Sequence, residues 1–481
     1  MMEIDPILNT AVILLLAVIL WFVFTQLKSA KNLPPGPRGV PFFGYLPLLG
    51  RKPHLTFSKL RIKYGDMFKI YLGEELVIVL SSFKLIKEAL LKQTFQERPS
   101  DFIALTAFGP EEGLFSGFGP SRVELRRFVL TMLRNFGMGK TSLEPRMQDE
   151  INCAIEEIAK LEGKPADFRN LLTMSASNLI VSILFGKRMS YTNPVFQELL
   201  NSSKNYVNSI GINQWSNLLP HFLLNWLGIK TPLYLGKLLY KKMLEELKKH
   251  DESSNSENFI DSWRAEAEKS KTNSAIYNEE KLAQVLCELF IGGSDTTSVT
   301  LEWALLYLIK HPEVQTKVQK EIDDVIGKEK APTMSDQKLM PYTQATIMEI
   351  VRLTSIVPLN DPHSPIEDTE FNGYFLPKNS SIYTNLWALH RDPEIFSQPE
   401  KFMPERFINE DNTVKRVDEL IPFSAGRRQC PGEALARMQL FLYLTTFLQH
   451  FTFTKHNDVV LDYEYALVLE PVHQQIRAVL R

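Results

Sequence analysis

The sequence predicts a mainly α-helical protein with small β-sheets, preceded by an N-terminal transmembrane helix. Three observations carry that expectation: an uncharged apolar run near the N-terminus, apolar residues recurring every three to four positions in segment after segment, and strand-like runs that are short and few. With 481 residues, 44% hydrophobic and 23% charged, the chain can bury a large core and is not a disordered polymer. Its formal net charge of −2 provides no basic excess, which argues against nucleic acid as a partner. Three cysteines, Cys153, Cys287 and Cys430, are too few and too scattered for a secreted disulfide framework and form no CxxC pair, so a reducing compartment is expected.

The first element is the run from Pro6 to Leu27, which carries no charge. At 1.5 Å per helical residue, about 20 residues cross a hydrocarbon core. A cleaved signal peptide usually has a shorter apolar core, about 7–15 residues, behind positive charge; here Glu3 and Asp5 precede the run, which favours an anchor. Lys28 and Lys31 follow it and place the remaining chain on the cytoplasmic side. Residues 1–30 are therefore expected to form the anchor. Pro34, Pro35, Pro37, Pro41 and Pro47 then forbid a continuous helix, so 31–50 are expected to link the anchor to the domain and begin it. No internal repeat or second linker follows, which leaves 51–481 as one domain, with Lys248 to Phe259 as a polar surface loop.

Within that domain "FSKLRIKYG", "SFKLIKEALLKQ", "RMQDEINCAIEEIAKLEG", "LGKLLYKKMLEELKKH" and "HPEVQTKVQKEIDDVIG" have helical spacing, and several end in glycine. "MFKIYLG", "LVIVLS" and "SIYTNL" are the strand-like runs. Cys153 and Cys287 lie inside helical patterns and are expected to be buried hydrophobes. Cys430 differs. Gly426 and Gly432 allow a tight backbone around its sulfur, and the helix that follows offers amide N–H groups and a positive dipole end that favour thiolate. Such a thiolate can be a nucleophile, but the neighbouring groups are Arg427, Arg428 and Gln429, not a histidine base. Arginines suit the carboxylates of a porphyrin whose iron the thiolate would bind.

Phe423, Gly426, Arg428, Cys430 and Gly432 match F-x-x-G-x-R-x-C-x-G, and on these five positions the chain resembles the cytochrome P450 family of haem-thiolate monooxygenases. The resemblance implies the cytochrome P450 fold, haem b (iron protoporphyrin IX) as cofactor, Cys430 as axial iron ligand, Phe423 beside the sulfur, Gly426 in the loop and Arg428 on a propionate. "LFIGGSDTTSVTLEWALLYLIK" resembles the family's distal-helix motif. Gly292 and Gly293 each cost a helix roughly 1 kcal/mol relative to alanine, and two explanations stand: close packing of a neighbouring helix, or a groove that admits dioxygen. Asp295 and Thr296 are implied as the acid–alcohol pair that handles protons during oxygen activation.

Glu349 and Arg352, three residues apart, and Arg406 in "PERF" would on spacing alone be surface pairs worth about 0.2–0.5 kcal/mol; the resemblance implies a buried structural triad. It implies Arg126 in "ELRRF" and His363 in "VPLNDPH" as further propionate donors. The family's tryptophan four residues before Arg126 is here Arg122, which either supplies a charged donor or faces solvent.

The resemblance extends from "PPGPRG" to the cysteine loop and is to the animal microsomal family 2 branch. It implies insertion of one oxygen atom from O2 into a small hydrophobic molecule, a lipid, steroid, terpenoid or xenobiotic, at the endoplasmic reticulum membrane with the catalytic domain cytosolic. No G-x-G-x-x-G follows a strand, so electrons are expected from a separate NADPH-dependent flavoprotein reductase, with cytochrome b5 as a second donor, docking on Arg127, Arg134, Lys140, Arg427 and Arg437. Substrate would contact the loop from Phe102 to Phe118, Leu286, Leu289, Phe290 and Gly293, the turn with Val357 and Leu359, and Leu467 to Leu469. Trp215 to Ile229 is apolar enough either to dip into the bilayer or to join the core. Two rival functions share the Cys430 loop: a haem-thiolate isomerase or dehydratase acting on peroxides without reductase, and a non-enzymatic haem sensor.

Overall fold

The computed structural model describes residues 16–17, 32–99, 113–115, 117, 119–212, 227–228, 230–250, 258–269 and 276–481. The expected anchor lies outside them apart from Leu16 and Ala17, as do most of the Trp215 to Ile229 segment, nearly all of the Phe102 to Phe118 loop and most of the Lys248 to Phe259 loop. Among the described residues no helix is long and apolar enough to cross a membrane. The chain divides into two compact units, each discontinuous in sequence: Met1–Ser100 with Ile212–Leu223 and Leu359–Leu389, and Asp101–Gly211 with Leu224–Pro358 and His390–Arg481.

The first unit is built on a three-stranded sheet. Strands β1 (Met67–Leu72) and β2 (Glu75–Leu80) form an antiparallel hairpin with Met67 opposite Leu80 and Leu72 opposite Glu75. A hairpin, β3 (Thr369–Phe371) and β4 (Tyr374–Leu376), precedes β5 (Ser381–Thr384), which pairs parallel to β2 with Val77 opposite Ser381. The order β1-β2-β5 makes β2 the central strand, and its Val77 to Leu80 run is buried throughout. An apolar run without alternation is what a strand covered on both faces requires. The three strand-like runs of the sequence thus form one sheet. The two-stranded sheets formed by Phe451–Lys455 with Ile476–Leu480, and by Tyr463–Tyr465 with Leu469–Pro471, carry no alternation that marks them in the sequence.

The second unit is helical. Five helices matter for the site: α1 (Gly119–Asn135), α2 (Arg169–Phe185), α3 (Glu279–Lys310), α4 (Pro341–Thr354) and α5 (Glu433–His450). Helices α3 and α5 are apolar around most of their circumference, and nearly every residue of α3 from Lys281 to Ile309 is buried, the pattern of helices inside a core. Asn278 caps α3, its side chain accepting the Lys281 N–H at 2.8 Å. Proline opens α4, where a missing N–H costs nothing, and Glu321 accepts the first-turn Tyr342 and Thr343 amides, which have no intrahelical acceptor, at 2.9 and 2.7 Å.

Helix α3 runs without interruption through Gly292 and Gly293. A Cβ on Gly293 would sit 2.5 Å from Cδ1 and 2.7 Å from Cγ1 of Ile180 on α2. Close approach of α2 is therefore the reason for glycine at 293, and the absent side chain of this expected pocket residue points at another helix.

Candidate active site

Cys430 ends the loop that delivers the chain to α5. Gly426 has φ +75°, where a side chain would be strained, and opens a 3-10 turn, Gly426–Arg428, closed by the Gln429 N–H on the Gly426 carbonyl at 3.1 Å. The Cys430 N–H donates to the Phe423 carbonyl at 2.9 Å. These bonds pin the backbone on both sides of the cysteine while its side chain stays exposed. Phe423 is half-buried, and the Arg437 guanidinium lies 5.0 Å from its ring centre, itself paired with Glu433 at 2.8 Å. Gly432 caps α5, and a Cβ there would lie 3.9 Å from the sulfur.

Two arginines border this loop. Arg126, on α1, donates to the Gln429 carbonyl, next to the cysteine. Arg428 is buried; its Nη1 donates to the Phe115 carbonyl at 2.9 Å and its Nη2 to the Gly117 carbonyl at 2.7 Å, two of the five guanidinium hydrogens. Arg122 is buried and does not face solvent. One exposed, soft sulfur donor beside two planar cations fits an iron held by a single thiolate inside a macrocycle that carries carboxylates.

His363 and Leu359 belong to the first unit. There the His363 backbone exchanges hydrogen bonds with Ile382 at 2.9 and 2.7 Å, and its Nδ1 lies 2.7 Å from the Phe95 carbonyl. A carbonyl can only accept, so Nδ1 carries hydrogen, and donation from Nε2 as well requires the imidazolium form. Beside it is a residue the sequence reading had not singled out: buried Arg98, whose Nη1 donates to the Asp361 and Pro362 carbonyls at 3.0 and 2.8 Å. Leu359 packs with Phe57, Phe68 and Tyr383.

On α3, Asp295 and Thr296 leave the helix about 100° apart, the rotation between consecutive residues. The Thr296 hydroxyl donates to the Gly292 carbonyl at 2.8 Å. Asp295 turns towards the helix Pro194–Ser209, where the Ser203 hydroxyl reaches Oδ2 at 3.5 Å. Burial first, and then the Glu470 carboxylate, push the Asp295 carboxyl up to about 7, against the opposing pull of Lys204 and Ser203. Glu470 is held at 3.2 Å by both Arg169 and Lys204. At neutral pH Asp295 thus both holds and releases a proton, a property that local sequence did not disclose because burial and Glu470 come from elsewhere in the fold. Leu286, Leu289 and Phe290 lie in the main core cluster, and Val357 packs half-buried against it.

Glu349, Arg352 and Arg406 meet in the interior. Glu349 and Arg352 have no exposed surface; Arg352 donates to both carboxylate oxygens at 2.7 and 2.9 Å, and Arg406 Nε and the Met403 N–H reach Oε1 at 3.0 and 2.9 Å. Arg352 also donates to the His390 carbonyl at 2.7 Å. The buried His390 accepts the Ile421 N–H on Nε2 at 3.3 Å, so its hydrogen is on Nδ1, 2.9 Å from the Ser355 hydroxyl. Ser355 in turn donates to the Arg352 carbonyl at 2.7 Å and closes α4 with φ +39°. Burial, and then the charges of Arg391 and Arg352, push the His390 imidazole down to about 3, keeping it neutral. This chain of bonds connects the end of α4 to the segment entering the cysteine loop.

A family model described as Cytochrome P450 matches residues 34–477. The chain is 38% identical over 482 residues to cytochrome P450 2J5 of Mus musculus, covering 97% of this chain and 96% of that one. It is 37% identical over 468 residues to cytochrome P450 2J2 of Homo sapiens, covering 95% and 93%. With cytochrome P450 2B9 of Mus musculus the identity is 37% over 459 residues, covering 93% of each.

Proposed function

The chain belongs to the cytochrome P450 family, among its animal microsomal family 2 members, and is a haem b monooxygenase; from that premise we propose that it oxygenates small hydrophobic molecules with electrons delivered by a separate reductase. The observation that carries the proposal is the exposed Cys430 side chain on a loop fixed by its own hydrogen bonds and bordered by Arg126 and Arg428. Cys430 would ligate the haem iron, with Phe423 and the Gly426 turn holding its position, and Arg126 and Arg428 would meet the propionates. When bound, the haem supplies the activation of dioxygen.

The protein's own groups supply the rest. Asp295 holds a proton on its carboxyl and can pass it on near neutral pH, and the Thr296 hydroxyl presents a donor and acceptor on the same turn. Leu286, Leu289, Phe290 and Val357 are the proposed apolar contacts, suited to a lipid, steroid, terpenoid or xenobiotic and able to exclude water around it. Arg127, Arg134, Lys140, Arg427 and Arg437 are all exposed, and we assign them to docking of an acidic NADPH-dependent flavoprotein reductase, with cytochrome b5 as alternative donor. The uncharged run Pro6 to Leu27 is the proposed anchor in the endoplasmic reticulum membrane.

The test is the optical spectrum of the membrane-extracted protein, reduced and exposed to carbon monoxide, for wild type and Cys430→Ser. A strongly red-shifted Soret band that disappears in the variant supports thiolate ligation; its absence from folded wild type removes Cys430 as ligand. Oxygen consumption that depends on NADPH and reductase separates the monooxygenase from a peroxide isomerase sharing the same loop. Charge reversal of Arg134 or Lys140 that leaves turnover and its salt dependence unchanged removes those residues from the docking surface.

A further inference from the structure

We infer that Glu470, held by Arg169 and Lys204, is a positioning residue that keeps a proton on Asp295 by presenting a second carboxylate to it. The inference deepens the proposed function and rests on it for what that proton does. The strand Leu469–Pro471 is tied to both α3 and α2: Trp303 Nε1 donates to the Leu469 carbonyl at 2.8 Å, and Arg169 Nη2 donates to the Pro471 carbonyl. Glu470 stands between these two bonds. Its Oε1 lies 3.2 Å from both Arg169 Nη1 and Lys204 Nζ. Arg169 is buried in the first turn of α2 and forks onto Glu302 through Nε at 2.9 Å and Nη2 at 2.8 Å. Glu302 follows Asp295 by seven residues, so the two leave α3 on the same face. Lys204 is half-buried on the helix Pro194–Ser209, next to Ser203, whose hydroxyl reaches Asp295 Oδ2 at 3.5 Å. Four segments of chain thus converge on the face of α3 that carries Asp295.

The charges of this cluster balance when Asp295 is protonated. Arg169 and Lys204 supply two positive charges, Glu302 and Glu470 two negative ones, and an ionised Asp295 adds a third negative charge. Asp167, the other carboxylate near Arg169, accepts the Arg169 N–H at 2.9 Å and has a partner of its own in His473 at 2.6 Å. Like charges close together in a partly dry site disfavour a further ionisation. Of the groups that act on Asp295, burial comes first and Glu470 second in raising its affinity for a proton, while Lys204 and the Ser203 bond lower it. Glu470 and Lys204 are bound to each other and yet act on Asp295 in opposite senses. The clamp matters because a free carboxylate on the half-buried Glu470 would turn towards water, where its field is screened. Arg169, held in turn by Glu302, denies it that freedom and fixes where the negative charge stands. Glu470 therefore acts through Asp295.

The experiment uses the full-length holoprotein in detergent, wild type against Glu470→Gln, Lys204→Met and the two combined, each paired with the same protein carrying Asp295→Asn. The infrared band of a protonated carboxyl, isolated by subtracting the Asp295→Asn partner, reports the Asp295 proton directly as pH is varied. Reductase-supported turnover is measured over the same range. Glu470→Gln should move the Asp295 titration to lower pH by about one unit, the low end of what a neighbouring charge imposes. At pH 8 that leaves about tenfold less of the protonated form. Lys204→Met should move the titration to higher pH, and the double variant should fall between the two. Opposite displacements on deleting the two halves of one ion pair support the proposal, because a bridge that only held the fold would displace both alike or neither. A Glu470→Gln titration that coincides with wild type, or single variants that shift in the same direction, overturns it. If Glu470→Gln does not fold, Glu470→Ser, which leaves room for water beside Arg169, stands in for it with the same criteria. A wild-type Asp295 that titrates in the ordinary carboxylate range overturns the proposal with no variant at all. The infrared band follows the proton whatever the reaction does with it. A displaced infrared titration with an undisplaced turnover profile therefore removes Asp295 as proton donor and leaves the hold of Glu470 on that proton standing, so the two failures are distinguishable.

Discussion

Replacing Glu349 with alanine tests whether the internal triad holds the heart of the second unit together. The carboxylate, with no exposed surface, receives four hydrogen bonds: two from Arg352 at 2.7 and 2.9 Å, one from Arg406 at 3.0 Å and one from the Met403 N–H at 2.9 Å. Alanine removes all four and leaves the Arg352 guanidinium buried with carbonyl partners, the His390 oxygen at 2.7 Å being the nearest. Stranding one member of a buried ion pair costs about 3–5 kcal/mol. Glu349→Gln keeps an acceptor for Arg352 and the shape of the site, so its cost should fall nearer the roughly 1–3 kcal/mol of a buried, partly satisfied polar group. Because 481 residues unfolding together give an entropy of about 1 kcal/mol per kelvin, the alanine variant should melt roughly 3–5 °C lower. Urea titration of purified holoprotein gives the free energy, and the bound haem per chain, read as the pyridine haemochrome, gives the consequence for the cofactor. An alanine variant within about 1 kcal/mol of wild type, with undiminished haem, would refute the assignment of these residues to fold and haem retention, since only exposed pairs are worth so little.

Gly293→Ala combines a helix-propensity gain of about 1 kcal/mol with overpacking against Ile180 that costs about 1–3 kcal/mol, so it should destabilise slightly; in an Ile180→Ala background the clash disappears and the same change should stabilise, which urea titration of the four proteins checks. His390 stays neutral in the fold to about pH 3, whereas in the unfolded chain it takes up a proton near pH 6.5, so its contribution is intact above 6.5 and declines by about 1.4 kcal/mol per unit as pH falls towards 3. Stability measured against pH should lose that slope in His390→Asn. Asp295, raised to about 7 in the fold, should give reductase-supported turnover an inflection near pH 7; Asp295→Asn should abolish the inflection and slow turnover by roughly a hundredfold, the scale of one general acid, and an unaltered profile would exclude Asp295 as the proton donor.

Legibility in the sequence followed the range of the interactions. The cysteine loop, the helices with strong periodicity and the β1, β2 and β5 runs could be read because their determinants are neighbours: a left-handed glycine at 426, a helix starting after Gly432, an unbroken apolar run in β2. The acid on α3 was visible as a residue type, but its elevated affinity for protons comes from burial and from Glu470, 175 positions later, and no local pattern encodes that. Glu288 carries no signal in its local sequence, because the N–H it accepts belongs to Leu114, 174 residues away. His390 and Ser355 escaped for the same reason, since an isolated histidine and serine carry no spacing signal. At the two glycines of α3 the sequence left packing and a groove equally open; only the position of Ile180 decides for packing at Gly293.

The triad also imposes a chronology on synthesis. Glu349 and Arg352 leave the ribosome together, but Arg406 follows Glu349 by 57 residues. At 5–20 residues per second that interval is roughly 3–11 s, during which the pair has no shell to enclose it and both charges remain hydrated. The nascent helix Pro341–Thr354 must therefore wait, wet and unburied on one face, for a segment not yet translated, and an agent that slows elongation between Thr354 and Arg406 prolongs the stage at which this chain is open to capture by chaperones or proteases.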